Sequence, residues 1–137
     1  MNVGKSVKRV DAFDKVTGRA RYTEDLVDKS ALVVKIHHST IAHGFVKSVD
    51  TSEAEKIPGV VKVLTCFDVP NLPFPTAGHP WSTDPHHQDV ADRLLLNTHV
   101  RHYGDDVAAV IAEDEVAANR AVRALKVEYE ELPFVLD

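Results

Sequence analysis

The order of apolar and polar positions divides the chain into short strands and two helical stretches. Ala31–Ser39 (ALVVKIHHS) is rich in β-branched residues between polar flanks and predicts a strand. Gly44–Asp50 (GFVKSVD) predicts a second, shorter one. In the stretch that follows (TSEAEKI), Thr51 or Ser52 is placed to cap a helix with acids in its first turn. One or two turns are expected, stopped by Pro58 and Gly59. Val60–Cys66 (VVKVLTC) reads as another strand. Between Asp105 and Glu113 the chain is almost continuously apolar from Val107 to Ala112, the pattern of a central strand covered on both faces.

Asp114–Leu125 (DEVAANRAVRAL) carries the longest helical pattern. Asp114 can cap it, Glu115 suits its positive end and Arg123 its negative end. Ala117, Ala121 and Leu125 recur at i, i+4 and i+8, with Ala118 and Val122 beside them, so a sheet can approach that face closely. The next run, KVEYEELP, puts Val127 and Tyr129 on one side of a last strand. The expectation is an α+β fold: a small mixed β-sheet with one short and one longer helix, in a single domain spanning 1–137.

Two segments fall outside this rhythm. Lys15–Asp25 (KVTGRARYTED) is polar, carries both signs of charge, has no helical pattern, and suggests either an exposed hairpin or a docking segment covering residues 1–30. Residues 69–99 form a long Pro/His-rich loop, and 69–89 hold five of the seven prolines and the single tryptophan, Trp81. Proline removes a backbone donor and disfavours helix in the residue before it. A long irregular segment in a compact domain is commonly functional or covered by a partner, and Trp81 is expected to pack on an apolar surface.

Composition narrows the function. At 44% hydrophobic and 27% charged residues, the chain has the make-up of a globular protein. A net charge of −5 argues against nucleic acid, which is bound through a basic face. No apolar run approaches the ~20 residues of a membrane span, and the first residues lack the apolar core of a secretory signal, so a cytoplasmic protein is expected. Cys66 is the only cysteine, so neither a disulfide within the chain nor a thiolate zinc or iron–sulfur site can be built from it. Its strand-like surroundings mark it as a small buried hydrophobe.

Eight histidines invite a metal reading. His37, His38 and His43 form one group, His79, His86 and His87 a second, and His99 and His102 an i, i+3 pair. Neighbouring residues on a strand point to opposite faces, so His37 and His38 do not converge on one ion. The acidic pairs Glu24/Asp25, Asp105/Asp106, Asp114/Glu115 and Glu130/Glu131 fall at element edges, where solvated charge is expected rather than an acid–base pair. There is no G-x-S-x-G elbow, and all six glycines stand singly, so no phosphate cradle is legible. No catalytic, cofactor or metal residue is assigned to the chain.

Four stretches together resemble the N-terminal a/b hammerhead domain of the molybdenum-binding subunit of the xanthine dehydrogenase/aldehyde oxidase family. They are GKSVKRVDAFDKVTGRARYTEDL, HSTIAHG, IPGVVKVLTCFDVP and VRHYGDDVAAVIAEDEVAANRAVRALKVEYEELP, in the family's order and covering nearly the whole chain. The chain departs from the family pattern at His38 (usually arginine), at Thr40 and Asp106 (usually proline), and at His102-Tyr103. The resemblance implies a parent oxidoreductase in which a molybdenum-pterin centre hydroxylates a purine or aldehyde with oxygen from water. Electrons then leave through iron–sulfur clusters to FAD. It implies no cofactor within this chain. The implied partners are the rest of the molybdenum-binding subunit and the iron–sulfur and flavin parts of the complex. On this footing the docking segment is assigned to Lys15, Thr17, Gly18, Arg19, Arg21, Tyr22 and Asp25, with Gly18 making the turn and Tyr22 anchoring. Two other readings remain open: a free-standing small-molecule or metal-binding module using the Pro/His-rich loop, and a small hydrolase.

Overall fold

A computed structural model describes residues 3–28, 30–75, 86 and 90–135. The chain divides into two units, Met1–Ala31 and Leu32–Asp137.

The first unit holds α1 (Ala12–Val16) and α2 (Thr23–Leu26). The polar stretch expected to lack helix therefore ends one helical turn and begins another; it is not a hairpin. The reason lies in local bonds rather than in periodicity. Thr17 Oγ1 donates to Phe13 O at 2.7 Å and closes α1, and Gly18 leaves the helix at φ +71°. The Tyr22 amide donates to Asp25 Oδ2 at 2.9 Å and starts α2. None of the described residues of this unit is buried.

In the second unit the order is β1 (Val33–His38), β2 (Gly44–Asp50), α3 (Ser52–Glu55), β3 (Val60–Thr65), β4 (His99–Val100), β5 (Asp106–Ala112), α4 (Glu115–Ala124) and β6 (Lys126–Glu131). The strands form two three-stranded sheets, β1-β5-β3 and β4-β2-β6, and every pairing is antiparallel. The α+β class stands, but the sheet expected to be single and mixed is divided in two. The short helix and the longer one fall where the capping signals put them. Asp114 Oδ1 accepts from the Ala117 amide at 2.7 Å, and Ala117, Ala118 and Ala121 are buried.

Strand β5 sits between β1 and β3 and is apolar on both faces. Ala108 and Val110 meet Ala54, Val63, Ala121 and Leu125 on one side. Val107 meets Ile41, Val46, Cys66, Leu96 and Val100 on the other. Val100, Val107 and Val110 are fully enclosed, each burial stabilising by about 1.5–3 kcal/mol. Cys66 is buried as expected, and desolvation pushes its thiol up to about 11, so it stays protonated near neutral pH.

The long loop is less irregular than its prolines suggest. Phe74 and Arg93 pair across its base (Phe74 N to Arg93 O, 2.9 Å), Leu96 enters the core, and His99 already belongs to β4. A two-residue strand has no periodicity to read; its partner β2 defines it. Trp81, His79 and His87 lie outside the described residues.

One expectation about charge is overturned. Asp105 is only 2% exposed, not a solvated edge acid. Its Oδ2 accepts from the amides of Arg101 (2.7 Å) and His102 (3.2 Å), and its Oδ1 bonds the Arg93 guanidinium and lies 3.1 Å from His102 Nε2. Beside it, Ser39 is equally buried: its amide donates to Asp105 O at 2.7 Å and its hydroxyl to His102 O at 3.0 Å. Burial by itself would raise the Asp105 carboxyl; the hydrogen bonds from Arg101, Arg93 and His102 outweigh it and hold the group below the usual carboxylate value. Asp106 is half-buried and pairs with His38 Nδ1 at 2.9 Å.

Among the described glycines, Gly44 is the one whose lack of a side chain the sheet requires. A Cβ there would fall on the Glu130 carbonyl oxygen and come 2.7 Å from Ile41 Cδ1. Gly44→Ala is expected to destabilise by about 1–3 kcal/mol, read as a lower urea midpoint with an unchanged slope. Asp105→Ala strands Arg93 and two amides and is expected to cost about 3–5 kcal/mol. The depressed carboxyl also sets a pH signature. Its contribution is fully present above the unfolded value of about 3.9 and is lost as pH falls through the native value. Asp105→Asn should therefore lose less stability than the parent chain between neutral pH and about pH 3, measured by urea denaturation at each pH.

Candidate functional site

The histidines fall into separate environments. On β1, His37 and His38 take separate partners at a shift in the β1–β5 register: His37 Nδ1 reaches Val122 O of α4 at 3.2 Å, while His38 Nδ1 pairs with Asp106 at 2.9 Å. Burial, slightly opposed by the Val122 bond, depresses His37 below the ordinary imidazole value. His38 and Asp106 thus face each other across the β1–β5 pair.

The i, i+3 pair His99/His102 is split. His102 belongs to the buried Asp105 knot. His99 instead meets His43, with Nε2 to Nε2 at 3.3 Å. His43 precedes Gly44 in β2, and β4 lies alongside β2, with Gly44 opposite Val100 and Phe45 opposite His99. The Phe45 ring stacks on His99 at 4.6 Å between centroids, tilted by 26°. His43 Nδ1 lies 3.0 Å from Pro133 O, just beyond β6. Desolvation, with the charges of Arg101 and His43, lowers the His99 pKa. The two rings open onto a hollow of about 760 Å³ lined also by Arg101, His102, Tyr103 and Phe134. Arg101 is engaged by Asp92, through its carbonyl at 2.9 Å and its carboxylate at 3.1 Å. Sequence spacing could not pair His43 with His99: 56 positions separate them, and only the β2–β4 register joins them.

The proposed docking residues all fall in the first unit. Lys15 is held by Asp11 at 2.6 Å, and Arg19 lies 5.7 Å over the Phe13 ring. Thr17 and Asp25 close α1 and open α2 as described above. Gly18, Arg19, Arg21 and Asp25 border a shallow hollow of about 530 Å³, and Tyr22 is 59% exposed. All seven are exposed; Lys15, Thr17, Gly18 and Asp25 shape the segment through local bonds and its turn, and Arg19 lies over Phe13.

Among the described residues no group of three His, Cys, Asp or Glu is placed to hold a metal ion, and no helix is long and apolar enough to cross a membrane. Of the acidic pairs, Asp105 is tied into the buried knot and Asp114 caps α4.

These arrangements accompany clear similarity to known proteins. The family model described as the aldehyde oxidase and xanthine dehydrogenase a/b hammerhead domain matches residues 17–133. The chain is 50% identical over 127 residues to the xanthine dehydrogenase molybdenum-binding subunit of Escherichia coli O157:H7, covering 93% of this chain and 17% of that protein. It is 37% identical over 134 residues to the probable hypoxanthine oxidase XdhD of Escherichia coli K12, covering 98% and 14%. Among solved structures, quinoline 2-oxidoreductase from Pseudomonas putida 86 superposes with a TM-score of 0.79 at 34% identity, over 97% of this chain and 17% of that one. The aldehyde oxidoreductase of Desulfovibrio desulfuricans ATCC 27774 gives 0.77 at 36% identity, over 95% and 15%. The chain thus spans about a sixth of the length of these relatives. The chain belongs to the aldehyde oxidase and xanthine dehydrogenase family, as its a/b hammerhead domain.

Proposed function

We propose that this chain acts as a noncatalytic structural and assembly domain of a xanthine dehydrogenase-like molybdenum hydroxylase, one that oxidises purines or aldehydes with water as the oxygen source. The observation that carries the reading is the 50% identity to a molybdenum-binding subunit of which the chain covers 17%. The chemistry of the parent would then rest on the remaining five-sixths of such a subunit and on its iron–sulfur and FAD partners.

The donor set supports a scaffold role. The glycines stand singly in the sequence, which suits turns and close strand contacts better than a pterin or phosphate cradle. The buried carboxylate is saturated by Arg93 and two amides, and a thiol pushed up to about 11 is a poor nucleophile. The residues present do not fit a molybdenum-pterin group, and no step of its chemistry is assigned to them.

In this reading the segment 1–30 docks on the rest of the enzyme. It carries exposed Phe13 (63%), Tyr22 and Leu26 (66%), and its described part buries nothing of its own; apolar groups so placed gain by being covered. Tyr and Arg are the side chains that most often anchor interfaces. Arg21→Ala with Tyr22→Ala, made in the complete enzyme, is expected to weaken subunit assembly by about 2 kcal/mol, measured by sedimentation of the complex. Assembly and activity equal to the parent's would remove the docking assignment. The purified chain is expected to turn over neither purines nor aldehydes when assayed with a dye electron acceptor; turnover would remove the scaffold reading.

A further inference from the structure

We infer that His43 and His99 form a two-histidine site for an exchangeable divalent transition-metal ion of the zinc or copper class. The site is independent of the family reading, because it rests on the β2–β4 register and on the hollow beside it.

The protonation pattern comes first. A carbonyl oxygen only accepts, so the 3.0 Å contact between His43 Nδ1 and Pro133 O places the proton on Nδ1. His43 Nε2 is then left with its lone pair. His99 Nε2 lies 3.3 Å away and, with no metal present, donates to it. Replacing that one shared proton by an ion satisfies both lone pairs at once. Metal–nitrogen arms of about 2.0–2.1 Å drawn from two nitrogens at this spacing meet close to the tetrahedral angle. The rings need only a modest tilt to adopt it.

Both rings are already held from behind. An imidazole whose far N–H is given to a carbonyl is oriented as metal-ligating histidines usually are, and His43 is so bound. His99 is fixed by the Phe45 stack. Neither ring is claimed by a carboxylate among the described contacts, unlike His38 and His102. Arg101, the cation lining the same hollow, is drawn towards Asp92. No third His, Cys, Asp or Glu joins the pair among the described residues. Water therefore completes the coordination sphere, and the hollow has room for it. The ion would also couple Pro133, at the end of β6, to β4 through the two rings.

The test is calorimetric titration of the full chain with zinc chloride near neutral pH. One saturable ion per chain is expected. His43→Ala and His99→Ala should each weaken it by at least about tenfold, while His86→Ala, in the Pro/His-rich loop, stays within about twofold. Circular dichroism establishes that each variant is folded. Should an alanine variant unfold, electron paramagnetic resonance of the parent chain with one equivalent of Cu²⁺ decides instead, with splitting from two imidazole nitrogens expected, reduced to one in His99→Gln. The inference is overturned by the absence of saturable binding, by affinity that His43→Ala and His99→Ala leave unchanged, or by a copper spectrum that His99→Gln does not alter.

Discussion

Strand β5 is the constraint on which the second unit rests. Each of the three apolar clusters among the described residues contains at least one of its side chains: Val107 in the first, Ala108 and Val110 in the second, Ala112 in the third. It hydrogen-bonds β1 on one edge and β3 on the other. A strand buried on both faces must be apolar at consecutive positions, which is why its sequence runs without alternation. Its entry point is fixed by polar bonds rather than by packing. The Asp105 carboxylate gathers Arg93 and the amides of Arg101 and His102, and buried Ser39 ties the same turn to the end of β1. A charge in that position is tolerable only because every neighbouring donor is aimed at it.

Two of the segments quoted for the family resemblance contribute to that turn. The serine of HSTIAHG and the second residue after Tyr103 are the two buried polar groups of the turn. Asp68, in the Asp-Val-Pro element, accepts from the Thr65 amide at 2.8 Å and the Thr65 hydroxyl at 2.6 Å, closing β3. The motif residues seen here are bound up in the architecture of the domain. His38 and Asp106 follow the same logic, facing each other as one cross-strand pair.

The hollow beside His43 and His99 is of a different kind. It lies where β2 and β4 meet the end of β6, lined by the imidazoles of His43, His99 and His102, an arginine and aromatic side chains. Its polar groups are oriented by a backbone carbonyl and a ring stack rather than locked into a saturated network. The buried knot has all its donors and acceptors used; the hollow keeps lone pairs and space. Any ligand chemistry of this unit is better sought there than at Asp105.

The sequence by itself determined most of the elements of the second unit: β1, β2, α3, β3, β5, α4 and β6 follow from periodicity, capping residues and the Pro58-Gly59 stop, all of which act within a few residues. The spacing of Ala117, Ala121 and Leu125 gave the buried face of α4, and the four motifs gave the family. In the first unit α1 and α2 leave no readable pattern, since one turn carries no period and is held by Thr17 and Asp25 bonds. Only the tertiary structure decided that the strands form two antiparallel sheets, that His99 opens a strand, that Asp105 is buried while Asp106 is not, and that His43 and His99 meet. Each of these depends on contacts between residues far apart in the chain. A local pattern records which face of an element is apolar, but not which other element comes to cover it.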